Sequence, residues 1–258
     1  MSEQIGTELD GSILRVEIRR PEKKNALTGP MYEALANALE AAERNPDVRV
    51  ILIHGQPGAF TAGNDLSDFL ANPPVSEEPL PPVFRFLNTF STLTKPFMAA
   101  VSGVAVGVGT TMLLHCDLVY AGESARFQLP FVNLGLCPEA GSSLLLPLLV
   151  GHQRAAEMLL LCEPFNAEKA RELGLVNAVL PDADVLDHAL AQARKLAAQP
   201  AAAVRMTKQL MKRTQAALLQ QTMQEEARQF RTLLVAPEAK EAFSAFFEKR
   251  KPDFSRFI

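Results

Sequence analysis

The order of residue patterns along the chain predicts an α/β protein: a layered core followed by a helical C-terminal subdomain. Three observations carry this expectation. Residues 14–54 read as strand, helix, strand. Residues 95–114 read as a short apolar strand behind Pro96 that enters a helix through Gly103, Gly107 and Gly109. From Val185 onward only helical periodicity remains. Strand–helix repeats followed by a run of helices suit a sheet layered with helices and a separate helical end.

Taken in order, Leu14, Val16 and Ile18 alternate with Arg15, Glu17 and Arg19, the period of a half-buried strand. Thr28 is placed to cap a helix with Pro30 in its first turn. Met31, Leu35, Ala38, Leu39 and Ala42 then share one helical face, and Asn45-Pro46-Asp47 stops it. Residues 48–54 form a second strand, apolar from Val50 to Ile53 and so interior, reached by a right-handed crossover. The small-residue loop 60–66 follows it. Residues 71–82 hold five prolines and no periodicity, a flexible loop or lid. Val83, Phe86, Leu87, Phe90 and Leu93 form a helical stripe, read as core with part of it open to serving as an acyl-chain wall. Strands are expected at 97–101, 117–121, 126–129 and 175–180, and helices at 142–150, 153–161, 167–173, 185–198, 201–234 with breaks allowed, and 237–249. The domain division follows: residues 1–198 as α/β core, 199–258 as helical subdomain.

Composition sets limits on function. The chain of 258 residues is 48% hydrophobic and 21% charged, enough for a sizeable core. A net charge of −3 with no basic stripe offers no electrostatic reason for a nucleic-acid partner. Cys116, Cys137 and Cys162 are an odd number at wide spacing, which fits neither a disulfide framework nor a metal site and suggests a reducing compartment. The first residues lack the basic and apolar regions of a signal peptide, the run 144–150 is too short for a membrane span, and the C-terminal Arg-Phe-Ile is not a peroxisomal signal, so a cytoplasmic location is expected.

Both glycine turns lie just past a buried strand, where ligands of open α/β sheets collect. A strand entering a helix through glycines leaves N–H groups free at the helix start, able to hold an anion or a developing oxyanion. The same glycines would also serve close packing, and their spacing is not that of a dinucleotide fingerprint. Glu139 reads two ways, as a catalytic carboxylate or as a helix N-terminal acid satisfying the N–H groups of residues 141–143. Asp65 reads as a turn former, Asp117 as a strand-end anchor, and His54, His115, His152 and His188 as structural or exposed. Ser142 and Ser143 lack a nucleophile elbow.

Pro21-Glu-Lys-Lys-Asn-Ala-Leu, Ala59-Phe-Thr-Ala-Gly-Asn-Asp-Leu, Lys95-Pro-Phe-Met-Ala-Ala-Val-Ser-Gly-Val-Ala-Val-Gly and Cys116-Asp-Leu-Val-Tyr-Ala together resemble the crotonase (enoyl-CoA hydratase/isomerase) superfamily. Ala167-Glu-Lys-Ala-Arg-Glu-Leu-Gly-Leu-Val and Phe246-Phe-Glu-Lys-Arg-Lys-Pro-Asp-Phe extend the resemblance over almost the whole chain. It implies a crotonase-like spiral of ββα units with C-terminal helices, assembled as a homotrimer or a dimer of trimers. It implies an acyl-CoA thioester as substrate, with no separate cofactor and no metal, coenzyme A being part of the substrate. The oxyanion donors carried over are the backbone N–H groups of Asn64 and Val108, whose side chains then need only suit their turns. The CoA-binding positions carried over are Lys24, Ala26, Leu27, Ala62, Gly63, Asn64, Asp65, Leu66 and Gly107, with Lys24 open also to being an ordinary solvated lysine. The basic tail Lys249, Arg250 and Lys251 reads as a solvated face or, by the resemblance, as a neighbour of a CoA phosphate, within the chain or across a subunit interface.

The resemblance also bears on the reaction. Family hydratases carry two glutamates, and here Thr111 and Phe131 stand at those positions. Pro130-Phe131 followed by Leu136-Cys-Pro-Glu-Ala-Gly-Ser-Ser is closest to the peroxisomal-type Δ3,Δ2-enoyl-CoA isomerases, which implies Glu139 as the single base. The alternatives are other crotonase chemistry, dehalogenase-like, thioesterase-like or weakly hydrating, and a catalytically idle acyl-CoA- or RNA-binding member.

Overall fold

A computed structural model describes residues 3–76 and 78–257. Met1 and Ser2 of the N-terminal stretch, Glu77 of the proline-rich stretch and Ile258 of the C-terminal tripeptide lie outside the described residues. The chain runs β1 (Ile5–Asp10), β2 (Ile13–Ile18), α1 (Gly29–Arg44), β3 (Val50–His54), β4 (Ala59–Thr61), α2 (Leu66–Ala71), α3 (Pro82–Thr92), β5 (Phe97–Val101), β6 (Val104–Val106), α4 (Val108–Thr111), β7 (Leu118–Gly122) and β8 (Arg126–Gln128). It continues through α5 (Ser142–Val150), α6 (His152–Ala156), β9 (Phe165–Asn166), α7 (Ala167–Glu172), β10 (Ala178–Leu180), α8 (Val185–Ala197), α9 (Ala201–Lys212), α10 (Ala216–Leu234) and α11 (Pro237–Phe247).

Two sheets divide the strands. The larger has the order β1-β2-β3-β5-β7-β10, and the smaller β4-β6-β8-β9. The large sheet is parallel from β2 to β10, with β1 antiparallel at its edge. The pairs β3–β4, β5–β6 and β7–β8 each place one strand in the large sheet and the next in the small one. Successive units are neighbours in both sheets, which makes the turns of a ββα spiral. The alternation of side chains explains the two cores. Val16, Ile51, Ile53, Phe97, Ala99, Val101 and Val119 face the core shared with α1 and α3. Ile13, Val50, Leu52, Met98, Ala100 and Tyr120 face α8 through Val185, Ala189, Leu190 and Ala193. A strand buried on both faces reads as a continuous apolar run, as β3 and β5 do.

Some elements differ from the sequence expectation. The reading assigns no strand to β1, β4, β6 or β9 and no helix to α2; β1 alternates weakly and is mostly exposed beyond Gly6. The helix expected after Gly109 is one turn of α4 followed by a tighter turn over Met112–His115. The last strand shrinks to β10, and the helix expected over 153–161 ends in a wide turn over Glu157–Leu161. Thr28 occupies the cap position of α1 without a side-chain bond. The carboxylate of Asp68 accepts the N–H of Gly29 instead, at 2.7 Å. All five residues of the α3 stripe are buried.

The helical end is tied to the core by buried charges. Lys208 on α9 pairs with Asp117 at 2.7 Å, and Asp117 accepts the N–H of Phe97 at the start of β5. Asp117 therefore anchors a strand end and a helix together. The expected boundary at 198/199 falls in the connection between α8 and α9.

Candidate active site

Two turns of backbone meet first. Gly63 adopts φ +84°, and a Cβ there would lie 2.8 Å from the carbonyl oxygen of Val106. Gly107 adopts φ +56° with ψ −118°, a region open to glycine. The parallel pairing of β4 with β6 brings the turns side by side. The N–H of Leu27 donates to the carbonyl of Gly63 at 2.8 Å, and the N–H of Asp65 donates to the carbonyl of Leu27 at 2.8 Å. In a trans peptide N–H and C=O point opposite ways, so the N–H of Asn64 points away from Leu27. Val108 is the first residue of α4, where an N–H has no partner within the helix. No acceptor among the described residues takes the N–H of Asn64 or of Val108.

The carboxylate comes from another part of the chain. Thr111, one turn along α4 and about 4.5 Å from Val108 by helical rise, donates its hydroxyl to Oε1 of Glu139 at 3.1 Å. Glu139 is 4% exposed. Burial pushes its carboxyl up to about 8, with the charge of Glu226 adding and the Thr111 bond opposing. The reading of Glu139 as the acid that satisfies the following N–H groups is not what the structure has. That role belongs to Glu226 on α10, which accepts the N–H of Gly141 at 2.6 Å, the N–H of Ser143 at 3.0 Å and the hydroxyl of Ser143 at 2.5 Å. The turn itself is strained, with Ala140 at φ +59° and Gly141 at φ +71° in succession. His115, buried and depressed to about 3 chiefly by that burial, donates Nε2–H to the carbonyl of Ala140 at 2.6 Å. Sequence reasoning missed Glu226 and reached His115 only as structural or exposed. No local pattern links either to Glu139.

The positions assigned to CoA lie together. Lys24 and Asn25 are left-handed at φ +49° and +57°, and the carbonyl of Lys24 accepts the N–H of Ala62 at 2.9 Å. Asn25 is buried and donates Nδ2–H to the carbonyl of Ala59 at 2.8 Å, which fixes this loop against β4. Lys24 is exposed, Leu27 is buried, and Ala26, Ala62, Asn64, Asp65, Leu66 and Gly107 are half-buried. Asp65 caps α2 by accepting the N–H groups of Ser67 and Asp68 and pairs with Arg20 at 2.6 Å, so it is structural. In the basic tail Arg250 pairs with Glu241 and Glu248, and Lys249 and Lys251 are exposed. Phe131 is buried, at the start of a tight turn over Val132–Leu134. Among the described residues no three His, Cys, Asp or Glu side chains form a group able to hold a metal ion, and no helix is long and apolar enough to cross a membrane.

The side chain of Asn64 also has a partner. The hydroxyl of Tyr32 on α1 donates to Asn64 Oδ1. Tyr32 also lines a cavity of about 520 Å³ with Leu27, Phe69, Val83 and the proline-rich segment. Of the α3 stripe, Val83 alone faces this cavity. The site therefore combines two open N–H groups, one buried carboxyl of raised proton affinity and an adjoining apolar space. Such a set can hold a carbonyl oxygen while a proton is moved beside it.

A family model described as enoyl-CoA hydratase/isomerase matches residues 8–256. The chain is 38% identical over 245 residues to a 2,3-dehydroadipyl-CoA hydratase of Escherichia coli (strain K12), covering 94% of each. It is 34% identical over 247 residues to an enoyl-CoA delta isomerase 2 of Rattus norvegicus, covering 94% of this chain and 63% of that one. The solved structure of Pseudomonas aeruginosa OdaA is similar at 48% identity and a TM-score of 0.92, over 95% of this chain and 99% of that one. The ββα spiral, the paired glycine turns and these matches agree, and the chain belongs to the crotonase (enoyl-CoA hydratase/isomerase) family.

Proposed function

We propose that the protein is a Δ3,Δ2-enoyl-CoA isomerase with Glu139 as its single acid–base group. The ionised carboxylate takes a proton from C2 of a 3-enoyl-CoA. The C–H electron pair moves toward the thioester, and the dienolate charge rests on an oxygen held by the N–H groups of Asn64 and Val108. Glu139 then returns the proton to C4, the double bond forms between C2 and C3, and the carboxylate is regenerated. One observation carries this reading: Glu139 is the buried carboxyl at the site, and the α4 position that would supply a second acid for hydration is Thr111, a hydroxyl bonded to Glu139. A carboxyl raised to about 8 suits proton transfer near neutral pH.

The loop of Lys24, Ala26 and Leu27 with residues 62–66 is assigned to the CoA moiety, and the cavity beside Tyr32 to the acyl chain. The exposed Leu148, Leu149, Leu160, Leu161, Met206 and Met211 support assembly into trimers, and three unpaired cysteines support a reducing cytoplasmic setting. The hydratase name of the 38% identical relative motivates the control. Incubation with 3-hexenoyl-CoA is expected to yield the conjugated 2-enoyl thioester. Loss of 2-hexenoyl-CoA by hydration is expected to be far slower in a parallel reaction. Comparable rates, or hydration alone, would reject the isomerase reading.

A further inference from the structure

Tyr32 stands where the oxyanion turn and the acyl cavity meet. Its ring is 2% exposed and packs on Phe86 with ring centroids 5.7 Å apart. The one proton of its hydroxyl goes to Asn64 Oδ1. Burial, with the charges of Glu139 and Asp68, holds this phenol well above its ordinary range, so it remains a donor at any working pH.

The peptide carrying the N–H of Asn64 is pinned at its carbonyl end by Leu27 and borders Gly63, a residue with wide backbone freedom. An asparagine side chain readily turns its carbonyl onto a nearby backbone N–H. Open N–H groups are what this site presents, so an unrestrained Asn64 side chain competes with the substrate for them. The tyrosine occupies that carbonyl.

We propose that Tyr32 is a positioning residue for the thioester site: by taking the side-chain oxygen of Asn64, it keeps the backbone N–H of Asn64 open and aimed at the carbonyl oxygen of the acyl-CoA. The proposal rests on the reading that this N–H binds the thioester oxygen, and it adds a role for a side chain outside both glycine turns. It also gives the wall of the acyl cavity and the oxyanion turn a residue in common, so an acyl group that displaces the Tyr32 ring disturbs the donor.

Tyr32→Phe tests this, because it keeps the ring and removes the hydroxyl. The first readout is the carbonyl stretch of bound hexanoyl-CoA, labelled with carbon-13 at the thioester and followed by difference infrared spectroscopy. In the wild type the band is expected to move to lower frequency on binding, and in Tyr32→Phe it is expected to return toward its position in free solution. The second readout is turnover of 3-hexenoyl-CoA. The variant is expected to lose about 10- to 10²-fold in kcat with KM little changed, less than the about 10²–10³-fold of a lost oxyanion donor. Asn64→Ala keeps the N–H and removes the competing oxygen, so in that background Tyr32→Phe should cost little further, and the double variant should turn over faster than Tyr32→Phe alone. A wild-type band and wild-type kcat in Tyr32→Phe would overturn the proposal, as would losses that multiply in the double variant. If the wild type fails to isomerise but its bound carbonyl band still shifts, the isomerase reading falls and the band alone decides the role of Tyr32. A wild-type band that does not move on binding removes Asn64 from the thioester oxygen, and the proposal with it.

Discussion

The turn at Gly63–Asn64 and the turn at Glu139–Ser143 serve one site, but different forces hold them. The first is held by backbone groups: Leu27 on one side, the irregular β4–β6 pairing on the other, and a glycine at φ +84° with no room for a Cβ. The second has a non-glycine residue in the left-handed region and is held by two side chains, His115 and Glu226. A backbone N–H needs only a peptide plane turned the right way, which local geometry can supply. A buried carboxyl near neutral proton affinity needs a low-dielectric enclosure, which many elements must close together. The acid half of the site should therefore be the more sensitive to distant changes, and the donor half the more sensitive to local backbone chemistry.

The largest effect is expected at the acid itself. Glu139→Gln should lower kcat by about 10²–10⁴-fold while acyl-CoA still binds. It should also change stability with a definite sign. Glu139 has its folded value at about 8, raised from the ordinary 4.5. Between those values the folded state keeps the proton and the unfolded state does not, so wild-type stability falls as pH rises through that window. Melting curves of the two proteins should diverge from about pH 4.5 to about pH 8, in favour of the glutamine variant, and run parallel above. Curves that never diverge would show that the carboxyl is not desolvated.

Next in size is the donor half. Val108→Pro removes the N–H and should cost about 10²–10³-fold in kcat, whereas Val108→Ala keeps it and should cost mainly stability. The pair is compared in protein with matching circular dichroism and oligomer size. Normal turnover in a folded Val108→Pro enzyme would place the second donor elsewhere in the Gly103–Gly109 turn.

The brace is third. Glu226→Gln puts a donor where two N–H groups and a hydroxyl converge, leaving at least one buried N–H unsatisfied at about 1–3 kcal/mol. A drop in the denaturation midpoint with a loss in kcat of about tenfold, through displacement of Glu139, is expected. Stability lost with kcat intact would mean that Glu226 holds the fold and not the base.

The smallest effect is a shift in pH dependence. Because Glu139 must be ionised to accept a proton, kcat/KM should rise with pH, with its midpoint near 8 and its plateau above that. The Thr111 hydroxyl favours the ionised form, so Thr111→Val should move the midpoint upward. A midpoint that stays or moves down would remove this hydroxyl from the account of the base.

Much of this was legible in residue order. Periodicities of two and 3.6 place most of the strands and helices near their observed positions, because burial on one face is written directly into spacing. The glycines at 63, 107 and 109 mark turns that no other residue fills as well, and the resemblance those motifs carry points to Glu139. The weakly patterned edge strand β1 left no signal, since an exposed edge imposes little on its side chains.

What the sequence by itself determined is therefore the local part: the glycine turns, the strand and helix periods, and a glutamate at position 139. Tertiary structure alone decided what that glutamate is. Thr111 bonds it, His115 and Glu226 hold the turn beside it, Tyr32 holds the side chain of Asn64, and no periodicity in the chain links these four. Backbone turns are short-range consequences of allowed φ and ψ, but proton affinity depends on every charge and dipole within reach and on the exclusion of water. Those exist only once α1, α4 and α10 have closed around the site.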